Sequence, residues 1–253
     1  MNPIVMVHGA FVGGWSFERF RVPFEAAGHQ VLTPDLRGHA AHDPAEAVIG
    51  VSMRDYADDV AALCKTLERP PILIGHSMGG LVAQLAARRV QPKALVLLAP
   101  SPPWGLTGWS VEEAMTAFGA QMASLLSTGA VDPSRQVMRR YTLDRLSKAE
   151  AAPILARMRP ESAQALRETL NWWLDPFMTT GVGAGPLPAR SLVISGEADA
   201  VHPAATGRLV ADRIGGGFLS VPKMSHWLLG GPGWEDVAQA ALDFIGEEAR
   251  VAA

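Results

Sequence analysis

The stretch Pro71-Ile72-Leu73-Ile74-Gly75-His76-Ser77-Met78-Gly79-Gly80 decides how this chain is read. It passes from an apolar strand, through a G-x-S-x-G pattern, into a helical pattern over residues 79–90. A strand that turns sharply into a helix holds the turning residue in strained backbone geometry, and neighbouring segments must come close. Gly75 and Gly79 lack the Cβ that would obstruct that approach. Ser77 is thereby presented as a candidate nucleophile, with the positive end of a helix dipole aimed at the reacting centre.

Short apolar runs of the same kind recur at residues 3–7, 30–33, 94–98, 191–194 and 218–221. Continuous rather than alternating hydrophobicity marks strands buried on both faces, as in parallel sheets. Between them lie helical patterns. Ser52, with Asp55 three residues on, forms a capping pair before a helix reaching about Leu67. Another helix runs from Trp234 to Glu248. The alternation predicts an α/β fold, a mostly parallel sheet flanked by helices. It stops between Ser101 and Pro188, where the pattern turns helical: residues 111–126, 135–141, a start at Ser147 with Glu150, and 161–173. This predicts a helical cap at 101–185, inserted into an α/β core made of 1–100 and 186–253.

The 253 residues carry a formal charge of −3, so there is no basic field for nucleic acid, and no such partner is expected. No apolar run is long enough to cross a bilayer, and no membrane partner is expected. The first residues lack the positive n-region of a secretory leader. With a lone cysteine, Cys64, a disulfide within the chain is excluded. A cytoplasmic setting is the resulting expectation. No histidine pair has ligand spacing with a third partner, so neither metal nor other cofactor is expected.

Several segments together resemble the α/β-hydrolase superfamily, and within it the small capped serine esterases, including plant methyl-ester esterases and bacterial carboxylesterases. They are His8-Gly9-Ala10 with Gly13-Gly14-Trp15, then Asp35-Leu36-Arg37-Gly38-His39, the elbow at Ser77, and the segments around Asp199 and His226. The superfamily usually has two or more strands before the His-Gly strand, so a shortened sheet edge is expected here. The resemblance implies a catalytic triad in the chain order Ser, acid, His. The acid follows a late strand and is the third residue after Gly196, namely Asp199, with Glu197 as competitor. His226, just past the last strand, is the implied base. The resemblance also implies an oxyanion hole from the main-chain N–H groups of Ala10 and Met78, with Phe11 the competitor for the first donor. His8 and His76 are expected to bond locally. His29, His39, His42 and His202 read as surface or turn residues.

The cap segment is rich in large apolar side chains: Trp104, Trp109, Met115, Phe118, Met122, Trp172, Trp173, Phe177 and Met178. Some form the cap's own core. Trp104, Phe118, Met122, Trp172 and Trp173, with Phe11 and Trp227, are candidates for lining a substrate pocket. Adjacent helical residues diverge, so only one of Trp172 and Trp173 is expected to face it. These features predict hydrolysis of a small carboxylic ester with an apolar or aromatic part, through an acyl-enzyme. Acyl transfer or thioester cleavage by the same triad, or a hydrolase-like receptor, are the alternatives. Ser77 at the elbow argues against dehalogenases and epoxide hydrolases of this fold, which have aspartate there. Trp227 stands where hydroxynitrile lyases of the capped subgroup have lysine. Oligomeric state is not legible.

Overall fold

The computed structural model describes residues 1–108, 111–183 and 185–251. Trp109 lies outside the described residues. Among the described residues the strands are β1 (Ile4–Val7), β2 (Val31–Leu32), β3 (Ile72–His76), β4 (Ala94–Leu98), β5 (Ala130–Val131), β6 (Glu161–Ser162), β7 (Arg190–Gly196) and β8 (Gly217–Val221). Around them lie α1 (Val22–Ala26), α2 (Met53–Lys65), α3 (Met78–Val90), α4 (Val111–Leu126), α5 (Arg135–Val137), α6 (Lys148–Arg157), α7 (Ala163–Leu170), α8 (Ala204–Ile214) and α9 (Trp234–Val251).

Six strands form one parallel sheet in the order β2-β1-β3-β4-β7-β8. Its apolar runs divide with the period of two that a pleated strand imposes. Val5, Val7, Leu73, Leu95, Leu97 and Val193 face one core, completed by Tyr56, Leu81, Val82 and Ile214 from α2, α3 and α8. Ile4, Met6, Ile72, Ile74, Val96 and Ile194 face the other, against Phe17, Phe20, Phe24 and Val237. Apolar side chains cover both faces, which is why the strands read as unbroken apolar runs. The edge strand β2 has two residues. Helix α8, flanked by Pro203 and by Gly215 in a left-handed C-terminal turn (φ 68°), escaped the sequence reading.

The chain leaves the sheet after β4 and returns at β7. The capping pairs at Ser52 with Asp55 and Ser147 with Glu150 are both formed, side chain to backbone in each direction. The helix expected over 161–173 is corrected. Glu161–Ser162 pairs antiparallel with β5, the Ser162 hydroxyl accepts the Ala165 N–H at 3.2 Å, and α7 therefore starts at Ala163. Helical geometry breaks at Asn171 (φ −120°), leaving Trp172–Leu174 as a single 3₁₀ turn.

Candidate active site

Ser77 occupies the turn between β3 and α3 at φ 54°, ψ −124°, a region that L residues avoid. A Cβ on Gly75 would strike the carbonyl of Gly79, and one on Gly79 the carbonyls of Val7 and His8. The strained residue is pinned at both ends. Its N–H donates to Leu98 O at 3.0 Å, and its carbonyl accepts the N–H groups of Gly80 (2.9 Å) and Ser101 (3.0 Å).

Three loops at the carboxyl ends of β3, β7 and β8 bring the expected side chains together. His226 Nε2 stands 3.0 Å from Ser77 Oγ, and His226 Nδ1 is 2.9 Å from Asp199 Oδ2. The other oxygen, Asp199 Oδ1, accepts the N–H groups of Val201 (2.8 Å) and His202 (2.9 Å). Burial works against the Asp199 carboxylate, but the facing His226, then His202 with its N–H, outweigh it and hold its pKa below the ordinary value. Glu197, the competing acid, is exposed. Beneath His226, His76 donates its Nε2–H to the His226 carbonyl at 3.0 Å, while the Leu228 N–H shares that carbonyl at 2.9 Å. Burial, then the neighbouring His226, pushes His76 down to about 3, so it remains a neutral donor.

On the other side of Ser77, the loop after β1 carries Gly9, Ala10 and Phe11. Neither the Ala10 nor the Met78 N–H meets an acceptor among the described residues. His8 bonds locally, as expected: Nε2 accepts the Leu36 N–H at 2.9 Å, which leaves Nδ1–H to donate to Gly9 O at 2.8 Å. Burial, then His39, lowers His8 to about 3. Farther along, Gly14 N–H donates to Asp35 Oδ1 at 2.7 Å, and the Phe11 carbonyl accepts the Arg159 N–H at 2.9 Å. Phe11 itself is held at φ 66°. Asp35 and Leu36 thus bond to Gly14 and His8, and this links the two motifs across the loop.

A cavity of about 780 Å³ opens over Ser77, within the range of small-molecule sites. Ala10, Phe11, Met78, Trp172, Trp173, His226 and Trp227 line it. Three pocket expectations are corrected. Phe118 and Met122 are 63% and 40% exposed on the outer face of α4, whose inner face presents the small Ala117, Ala120 and Ala123 to the cavity. Trp104 stands behind the wall, its ring 5.3 Å from that of Trp172 and its Nε1–H donated to Asp175 O. Trp172 and Trp173 both border the cavity from a 3₁₀ turn, on which adjacent residues diverge, and Trp173 is 55% exposed.

Two histidines read as surface residues are buried. His202 pairs through Nε2 with Ser101 Oγ at 3.0 Å, in the cavity wall. His39 Nε2 stands 3.1 Å from Glu161 Oε2, an ion-pair contact off the hydrogen-bond axis. Glu161 Oε1 accepts the Tyr56 hydroxyl at 2.6 Å. Burial works against charging His39, but the Glu161 carboxylate outweighs it and raises the histidine's pKa; burial likewise opposes Glu161, and His39 holds it below the ordinary value. Among the described residues, no three His, Cys, Asp or Glu side chains converge as metal ligands, and no helix is long and apolar enough to cross a membrane.

A family model for the alpha/beta hydrolase family matches residues 4–240, and the chain belongs to that family. A carbendazim hydrolyzing esterase of Nocardioides sp. (strain SG-4G) is 38% identical over 96 residues, 37% of this chain and 38% of that protein. Salicylic acid-binding protein 2 of Nicotiana tabacum is 36% identical over 103 residues, 39% of each chain. The aligned stretches thus span well under half of either relative. In three dimensions a methylesterase from Arabidopsis superposes with a TM-score of 0.73 over 97% of this chain and 99% of its own, at 17% identity. That likeness is one of fold.

Proposed function

We propose that this chain is a carboxylic ester hydrolase that works through an acyl-enzyme on Ser77. The observation that carries the reading is the continuous line Ser77 Oγ, His226, Asp199 beneath a cavity of about 780 Å³. His226 Nε2 takes the Ser77 proton as Oγ attacks the ester carbonyl. The developing oxyanion accepts the N–H groups of Ala10 and Met78, a type of contact worth about 3 kcal/mol per donor. His226 then delivers its proton to the leaving alcohol, and the acyl group remains on Ser77. A water, deprotonated by the same imidazole, releases the acid and restores the hydroxyl. Asp199 fixes the imidazole tautomer and stabilises the imidazolium.

In this reading residues 101–185 act as a cap that supplies the roof of the cavity, and its Trp172, Trp173 and alanine lining suits an apolar or aromatic substrate part. The names of the relatives support an ester as substrate. The test is turnover of aryl and alkyl esters of graded acyl length by the wild type and by Ser77→Ala. The variant should lose on the order of 10⁴-fold in kcat. A folded Ser77→Ala protein that retains wild-type turnover overturns the proposal.

A further inference from the structure

We infer that Ser101 and His202 form a polar subsite for the alcohol part of the substrate, and that the preferred esters carry a second hydroxyl on that part. The inference rests on the ester-hydrolase reading above. It starts from a contrast in the cavity wall. Most of that wall is apolar, and the donors of Gln121 and Thr169 are held by main-chain carbonyls of the fold, Leu170 O and Ala165 O. Asp132 and Ser134 are exposed. Ser101 and His202 are instead buried, at 3% and 6% exposure, yet both line the cavity together with Ser77 and His226.

The position of the pair selects a side of the substrate. His202 packs edge-on against His226, with ring centroids 5.3 Å apart, and Ser101 N–H is bonded to the Ser77 carbonyl. The leaving oxygen must come within hydrogen-bond reach of His226 Nε2 to receive its proton. The group attached to that oxygen therefore meets the wall beside His226, away from the Ala10 loop that faces the oxyanion.

The chemistry of the pair selects a hydroxyl. A serine hydroxyl has one donor and two acceptor sites, and a neutral imidazole nitrogen either donates or accepts. When Ser101 donates to His202 Nε2, its oxygen still accepts from a ligand. When Nε2–H donates to Ser101 instead, the serine O–H is released to the ligand. A ligand hydroxyl both donates and accepts, so it matches the pair in either arrangement. A methyl group in the same place would leave Ser101 desolvated and without a ligand partner, which is the situation that makes polar sites discriminate strongly.

Matched phenylacetate esters test this: the monoesters of ethylene glycol and trimethylene glycol against the propyl and butyl esters, in which a methyl replaces the hydroxyl. For at least one pair, wild-type kcat/KM should favour the hydroxyl ester by roughly tenfold, and Ser101→Ala should abolish that ratio. Ratios are read because they cancel any general effect of the substitution. Binding of the two glycols and of propanol and butanol to the unmodified protein, followed through the fluorescence of Trp172, Trp173 and Trp227, reads the subsite without turnover. Alkyl esters hydrolysed as well as the hydroxyl esters, with the ratio unmoved in Ser101→Ala and the alcohols bound alike, would overturn the subsite and leave the hydrolase standing. Glycols favoured in a Ser101-dependent way, in a protein that turns over no ester, would support the subsite and refute the hydrolase.

Discussion

Asp199 has two oxygens with different partners, and an amide in its place separates them. Oδ1 is held by two main-chain N–H donors, so the carbonyl oxygen of an asparagine must take that position. Its NH₂ is then turned to His226 Nδ1, which must become an acceptor. The proton moves to Nε2, and the imidazole no longer accepts from Ser77 Oγ. Asp199→Asn should therefore lower kcat by roughly 10²- to 10⁴-fold while the fold is retained. Glu197→Gln, at an exposed position, should cost less than about threefold, as surface substitutions do. Steady-state kinetics of both variants checks the assignment, and the reverse ranking contradicts it. Ser77, Asp199 and His226 could be put forward from the sequence because the resemblance ties each of them to a motif. Ser101 and His202 could not. They are 101 positions apart, and neither belongs to a motif, so only the folded sheet brings them into contact.

At the scale of elements, the segment after β4 is tied to α2 and to the loops before it by buried polar groups. Glu161 on β6 meets His39 from the loop after β2 and Tyr56 on α2, and the Ser162 hydroxyl donates to Val51 O at 2.5 Å. The pH dependence follows from the two directions of shift. Glu161 is held below its ordinary 4.5, so its contribution is complete above that value and is lost as pH falls through the lowered folded pKa. His39 is raised above its ordinary 6.5, so its contribution is complete below that value and is lost as pH rises through the raised folded pKa. The pair should stabilise most between these limits. Glu161→Gln should cost about 3 kcal/mol there, the usual result of leaving one partner of a buried pair alone. The difference should shrink as pH rises through the raised pKa of His39, since Glu161 in the wild type then loses its counter-charge. Urea unfolding of both proteins from acid to alkaline pH measures this, and a pH-independent difference contradicts it. The sequence concealed this tie, because Glu161 reads as a helix position until its pairing with β5 is known. Local periodicity cannot register a two-residue strand whose partner lies 30 residues upstream. The capping pairs of α2 and α6, by contrast, are local chemistry and were legible in full.

On the scale of the whole molecule, the cavity is a gap between the carboxyl ends of the sheet strands and the inner face of α4. Its size follows from the small residues there, Ala117, Ala120 and Ala123. Large apolar residues are the natural candidates for a pocket, yet on α4 they point outward and the space is made by alanines. That inversion is why the aromatic composition of the segment misidentified Phe118 and Met122. Each buried CH₂ of a substrate contributes about 0.8 kcal/mol, so two added acyl carbons should raise kcat/KM roughly tenfold until the space is filled. Ala120→Leu should make the rise stop at a shorter chain without altering its initial slope. The profile of kcat/KM against acyl length for both proteins checks this, and a profile that Ala120→Leu leaves unchanged contradicts it.

The covalent intermediate is open to direct measurement. The protein should be mixed with excess aryl ester, quenched in acid within the first turnovers, and the mass gain located by peptide mass spectrometry. One acyl group is expected, on Ser77, with a matching burst of released phenol, and neither in Ser77→Ala. An acyl group on any other residue, or steady ester turnover by folded Ser77→Ala protein, would contradict it.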